Sequence, residues 1–204
     1  MRKTLFAISL LLVCSSLPAQ NDFKGIITYK LSVEGGSDHN TDSMSVVFSG
    51  ERVAVILYIP DSNKVIEKIF IDDFAEKKSY KVDRNNFTYE EDSLKTRNDY
   101  LFINDNSIGA VNNELCMRYK ANPKLFDNAT IRSAECLASI NFRNSYISNY
   151  SFLGVQPIIV DNRIVLDFTV YNTNGTKPVV TVSNIKRLEN TDSYFEIWGY
   201  RLIN

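Results

Sequence analysis

Hydrophobic and polar residues alternate along most of this chain with a period of two, in short runs broken by turn-forming residues. Over 23–33, Phe23, Gly25, Ile27, Tyr29, Leu31 and Val33 fall on one face and Lys24, Thr28, Lys30 and Ser32 on the other, the pattern of a half-buried strand. A Gly-rich polar stretch over 34–40 ends it. Over 44–82, apolar runs are cut at Ser49-Gly50-Glu51, Pro60-Asp61-Ser62-Asn63 and Asp72-Asp73, which predicts four antiparallel strands in a meander. In the second of them Val53, Val55, Leu57 and Ile59 share one face while Ala54, Ile56 and Tyr58 make the other apolar too. That strand is expected to be covered on both sides.

Further strands are predicted over 87–90 and 100–103. A hairpin near residue 126 follows, whose second strand carries Ala134, Cys136, Ala138, Ile140 and Phe142 on one face. Beyond it the pattern predicts strands over 152–160, 163–171, 179–185 and 194–202. Asn172-Thr173-Asn174-Gly175 is a strong hairpin turn, because Asn and Gly tolerate positive φ. The fold class is mainly β: one curved antiparallel sheet of half-barrel type, with roughly ten to twelve strands and little helix.

The first residues change the picture. Met1-Arg2-Lys3, an apolar run over 5–13, then small residues and Pro before Ala19-Gln20, have the three-part layout of a secretory signal peptide, so residues 1–19 are expected to be removed and 20–204 to form one β-rich domain. Export is the resulting expectation, to the periplasm or the extracellular space. An alternative reading takes Leu11-Leu12-Val13-Cys14 as a lipoprotein signal anchored through Cys14, although Val13 stands where Gly, Ala or Ser is the rule. Beyond the signal the longest apolar run covers 53–59, far short of the ~20 residues a membrane-spanning helix needs.

Removing Arg2 and Lys3 leaves 21 basic against 24 acidic residues, without long blocks of either sign. Nothing in that balance recruits nucleic acid or an anionic membrane.

In an oxidising compartment the two remaining cysteines, Cys116 and Cys136, are expected to form a disulfide across the hairpin around Phe126-Asp127-Asn128; two buried free thiols are the alternative.

Several stretches carry a family resemblance. Gly25-Ile26-Ile27-Thr28-Tyr29, the meander over 44–80, Cys116-Met117-Arg118-Tyr119, Ile131 through Ala138 with Phe142-Arg143, Ile185-Lys186-Arg187 and Phe195-Glu196-Ile197 resemble, in order and spacing, the exported bacterial family known by its GLPGLI motif. They also resemble the neighbouring families that share the half-barrel of the lipoprotein carrier LolA. At the place of the signature this chain has Phe152-Leu153-Gly154-Val155-Gln156-Pro157-Ile158-Ile159, with Leu-Gly and Pro-Ile in a different frame. LolA-like folds cover the concave face with helices, and none is predicted here. The resemblance implies a fold and an envelope location, and no activity.

Candidate chemistry is sparse. His39 is the single histidine and lies in the Gly-rich loop, where Ser37-Asp38-His39 are too close in sequence to face one another as a catalytic relay. Cys116, Cys136 and His39 match no compact zinc spacing. The acids Asp72-Asp73 and Glu90-Glu91-Asp92 would suit glycoside hydrolysis only if two of them flanked a substrate, and both clusters fall at strand ends, where acids solvate turns. No enzyme activity, metal or cofactor is expected. Aromatic residues remain, foremost Tyr80, Phe87, Tyr89, Phe142 and Trp198, which could line a concave pocket or simply build the sheet.

The sequence therefore points first to a non-catalytic envelope protein holding an apolar ligand or lipid-modified partner on the concave face. A protein-interaction module of the envelope or surface is the alternative, and a solidly packed sheet would favour it. A carboxylate hydrolase comes last.

Overall fold

The computed structural model describes residues 22–34, 43–61, 64–95, 101–121, 131–154 and 156–203. The signal peptide expected over 1–19, Cys14, His39 and the turn expected near residue 126 lie outside these residues.

The predicted four-strand meander forms as β2 (Ser43–Ser49), β3 (Arg52–Asp61), β4 (Lys64–Asp73) and β5 (Lys78–Asp83), flanked by β1 (Gly25–Glu34) and β6 (Thr88–Ser93), which extend it on either side. The chain then forms β7 (Phe102–Val111), β8 (Glu114–Ala121) and β9 (Ile131–Arg143), which pair at the opposite end of the sheet. After these come β10 (Tyr150–Phe152), β11 (Gln156–Val160), β12 (Arg163–Asn172), β13 (Lys177–Arg187) and β14 (Arg201–Leu202). All 14 belong to one curved sheet, whose main order is β14-β6-β5-β4-β3-β2-β1-β13-β12-β9-β8-β7. Among the described residues every pairing is antiparallel except that of β14 with β6. No helix among the described residues is long and apolar enough to cross a membrane.

The alternation read from the sequence sets which face is buried. Ile27, Val46, Val55 and Phe70 are register partners in a row across β1 to β4, and the first three are fully buried. On the opposite face of the same strands Val47, Ala54 and Ile71 form a second buried row. β3 is thus covered on both sides, as its apolar residues on both parities require. Gly25 begins β1 at φ 154, and any Cβ there would collide with the backbone of Lys186 on β13.

A fork at β12 gives the sheet its enclosed face. β9 runs along one edge of β12; the other edge pairs with β11 at Arg163 and Ile164 but with β13 at Asp167 to Thr169. Two strands cannot occupy one place, so beyond the fork they diverge into two layers.

The layer carrying β10 and β11 folds back over the meander. Tyr150 donates to Asp72 Oδ2 at 2.6 Å, and Phe152 meets Phe70 edge to face at 5.2 Å. Tyr29, fully buried between the layers, donates its hydroxyl to Val165 O at 2.7 Å, so its own polar atom is not orphaned there. Tyr29, Phe48, Ile158, Ile164 and Leu166 fill the space between the layers. Each such side chain contributes about 1.5–3 kcal/mol by leaving water.

The strands among the described residues number 14 rather than ten to twelve, the strand expected over 100–103 runs instead over Phe102–Val111, and three further expectations change. The single strand over 152–160 is instead a hairpin, β10 and β11, turned by Leu153 at φ 52 and Gly154 at φ 78. The strand over 194–202 shrinks to Arg201 and Leu202, because the preceding residues form a short 3-10 turn and a β-turn.

The disulfide is absent. Cys116 and Cys136 are buried free thiols. The ladder places Cys116 opposite Ser139 and Cys136 opposite Tyr119, a three-residue offset. Three residues are about 10 Å along a strand, and an odd offset puts the side chains on opposite faces, beyond what a bridge spans.

Candidate functional site

Of the five aromatics singled out in the sequence, Tyr80, Phe87, Tyr89 and Trp198 come together at the β5–β6–β14 end of the sheet, on the face away from the enclosed layer. Tyr80 and Tyr89 are cross-strand neighbours whose rings lie 6.0 Å apart. Burial pushes the Tyr80 phenol up to about 12, and Glu76 accepts its hydrogen bond at 3.3 Å. Phe142 lies elsewhere. It packs against Phe23 at 4.9 Å with the Arg187 guanidinium 5.4 Å from its ring, and so serves the core.

Local chemistry builds this end in three steps. In the β5–β6 turn, Asp83 Oδ1 accepts the backbone N–H groups of Asn85 and Asn86 at 2.9 and 3.1 Å, and Oδ2 accepts the Asn86 amide at 2.8 Å. These bonds hold the Asp83 carboxyl below the usual carboxylate range and turn the chain so that Phe87, at φ 52, faces solvent at 62% exposure.

Next, the segment after β13 crosses the outer face of the meander. Phe195 is buried there against the Ile56, Ile69, Ile71 and Val82 cluster, with the Arg52 guanidinium 4.7 Å from its ring centre and Arg52 paired to Asp192 at 3.3 Å. Finally, β14 adds to β6: Arg201 N–H donates to Phe87 O at 2.8 Å and Ile203 N–H to Tyr89 O at 2.9 Å.

Between these anchors the chain makes a turn. Tyr200 N–H donates to Ile197 O at 3.1 Å, and Gly199 takes φ 82, which a side-chain-bearing residue would resist. Trp198 sits at the corner of that turn and is 93% exposed. Ile197 and Tyr200 on either side are half-buried against the outer cluster, and Tyr200 meets Phe87 at 5.5 Å. The indole is therefore displayed from a turn fixed at both ends.

Beside it lies a cleft of about 450 Å³, lined by Arg84, Ser193, Tyr194, Glu196, Trp198 and Tyr200. Sequence reasoning missed Arg84, Ser193, Glu196 and Tyr200, which are turn residues without periodicity. The Trp198-Gly199 pair was the available signal for an aromatic held on a turn.

A second cleft of about 520 Å³ lies at the other end of the sheet, lined by Ile103, Asp105, Lys120, Ala121, Ser133, Ala134, Glu135 and Tyr171. Its charges are mutually satisfied. Lys120 pairs with Asp105 at 3.2 Å, Arg118 with Glu135 at 3.1 Å, and Tyr171 donates to Glu135 Oε1 at 2.7 Å. Ser107 and Lys120 hold the Asp105 carboxyl down to about 2.

The acids considered for hydrolysis are in structural use. Asp72 accepts from Tyr150 and Ser79, and Asp73 caps the backbone of Glu76. Glu90, Glu91 and Asp92 pair with Lys81, Lys78 and Lys95. Among the described residues no group of three His, Cys, Asp or Glu could hold a metal ion.

No protein-family profile and no curated protein sequence matches the chain. Solved structures share its fold. One is the structure of PNGF-II, 14% identical, covering 88% of this chain and 30% of that one at a TM-score of 0.53. The chain thus spans about a third of that protein's length. Another is an uncharacterized conserved protein from Thermus thermophilus, 9% identical, covering 96% of this chain and 98% of that one, also at 0.53. A LolA superfamily protein from Nitrosomonas europaea is also similar, at 11% identity over 87% of this chain and 91% of that one, with a TM-score of 0.38.

Proposed function

We propose that this is an exported, non-catalytic binding protein of the cell envelope, with residues 1–19 as its signal peptide and 20–204 as one domain, and that it engages its partner through the outer aromatic face. The display of Trp198 at 93% exposure, on a turn fixed by backbone hydrogen bonds, carries this reading. Exposing a whole indole forgoes the stabilisation its burial would bring, and aromatic residues so placed are typical anchors of recognition. The enclosed face supports the same choice, because the chain's own side chains occupy it. The paired acids support a non-catalytic role, since each is bonded to a neighbour rather than free in a cleft.

The test compares the purified protein with Trp198→Ala for co-sedimentation with envelope fractions of the source organism. The wild type is expected to pellet with the envelope and the variant to remain soluble. Equal behaviour of the two would remove the outer face from the account.

An apolar ligand or lipid-modified partner is the second reading, and the cleft of about 520 Å³ favours it, since Ile103, Ala121, Ala134 and the Tyr171 ring give it apolar walls. Native mass spectrometry of the protein taken from the envelope tests it. A stoichiometric adduct that solvent removes supports this reading, and a bare mass without fatty-acid uptake overturns it.

A further inference from the structure

We propose that the cleft beside Trp198 is a saccharide-binding site that takes a neutral sugar ring against the indole; this deepens the outer-face reading and rests on it. The chemistry of the lining sets the ligand class. A pyranose has an apolar C–H face and a rim of hydroxyls. Its C–H hydrogens are slightly positive and suit the negative face of an aromatic ring. The indole of Trp198 supplies that ring, open to solvent on a turn whose backbone is fixed, and it has only two side-chain torsions to order when a ligand covers it.

Around the indole stand groups that match a hydroxyl rim. Arg84 offers fixed N–H donors, the Glu196 carboxylate accepts, and Ser193, Tyr194 and Tyr200 carry hydroxyls that do either. Neither Arg84 nor Glu196 has an ion pair or side-chain hydrogen bond among the described residues, although the neighbouring charges Arg52, Asp83 and Asp192 all do. Both are exposed and share one cleft, so their hydrogen-bonding capacity is free for a ligand.

Their charges cancel. An anionic ligand such as a phosphate or an acidic peptide gains nothing from such a lining, and a fatty acyl chain would leave Arg84 and Glu196 facing hydrocarbon. A neutral polyol with one apolar face satisfies every group. The volume of about 450 Å³ lies within the range of small-ligand sites, about 300–1,000 Å³.

The chain holds a single tryptophan, so its fluorescence reports on this cleft alone. The probes are maltohexaose, cellohexaose and chitohexaose, titrated into the purified protein. At least one is expected to shift and change the indole emission saturably, and Arg84→Ala and Glu196→Gln are each expected to weaken it at least tenfold while leaving the melting temperature unchanged. Both positions are exposed, so both variants fold.

Emission indifferent to all three sugars overturns the proposal, as does a response that survives both substitutions. Purified sacculi then separate the sources: retention abolished by the responding hexasaccharide assigns the ligand to the wall polymer, and absence of retention assigns it to free oligosaccharide. If no sugar binds while envelope co-sedimentation still requires Trp198, only the saccharide inference falls. If Trp198→Ala leaves co-sedimentation intact, the outer-face reading itself falls.

Discussion

The two ends of the sheet solve one problem differently. At the β6 end the strand is acid-rich, carries three lysine–carboxylate pairs with its surroundings, and is capped when the chain's C-terminal segment adds β14 beside it. At the other end β7 pairs only with β8 among the described residues, has Asp105 as its single charge, and exposes Ile103 and Ile108. Its protection is a break in register between Asn104 and Ile108, with Asn106 at φ 60, which interrupts the regular edge that another strand would need. An edge covered by the chain itself supports a rigid display such as the Trp198 turn. One protected by irregularity has no further strand beside it among the described residues.

The largest test of that contrast is Phe195→Ala. It removes the side chain that fastens the capping segment over Ile56, Ile69 and Ile71, and is expected to destabilise by about 3–5 kcal/mol in urea unfolding. Ile108→Lys at the β7 edge should stay within about 0.5 kcal/mol, since its side chain is 67% exposed. Comparable losses at both positions would erase the distinction.

Between the ends, Tyr150→Phe removes the donor that ties the folded-back β10 to Asp72, leaving a buried carboxylate with Ser79 as its remaining side-chain partner. A loss of about 1–3 kcal/mol is expected, with β10 exchanging its amides faster than β3.

A smaller effect appears in alkali. Burial pushes up the phenols of Tyr80, in the capped half, and Tyr119, in the β7 half, each to about 12; the Asp161 carboxylate adds to the rise at Tyr119. Since an unfolded tyrosine titrates near 10, the stability these groups contribute is complete below about pH 10 and is lost as pH rises toward about 12. Urea midpoints measured across that window should fall with pH, and less steeply in Tyr119→Phe.

The least change is expected from thiol reagents at neutral pH. Burial raises the Cys116 thiol to about 11 and the Cys136 thiol further, so neither should be labelled until the protein unfolds. Rapid labelling of the native protein would contradict their burial.

Strand positions were legible because alternation and turn residues are local properties of the chain. The two-sided cover of β3 could be read from Ala54 and Ile56, and the Asn172–Gly175 turn from its residue types. The site was half legible: aromatic residues announced Tyr80, Phe87, Tyr89 and Trp198, while Phe142, of the same type, belongs to the core. Residue type states what a side chain can do, and its neighbours decide whether it is free to do it.

What the sequence determined by itself was the β class, the meander and the alternation that chooses each strand's buried face, since a period of two needs no distant partner. Tertiary structure alone decided the rest. It set the three-residue offset that keeps Cys116 and Cys136 apart, the fork at β12 and the return of the C-terminal segment to β6. Each of these depends on which far strand fills an edge or a face first, a competition for space between residues separated by up to more than a hundred positions in the chain.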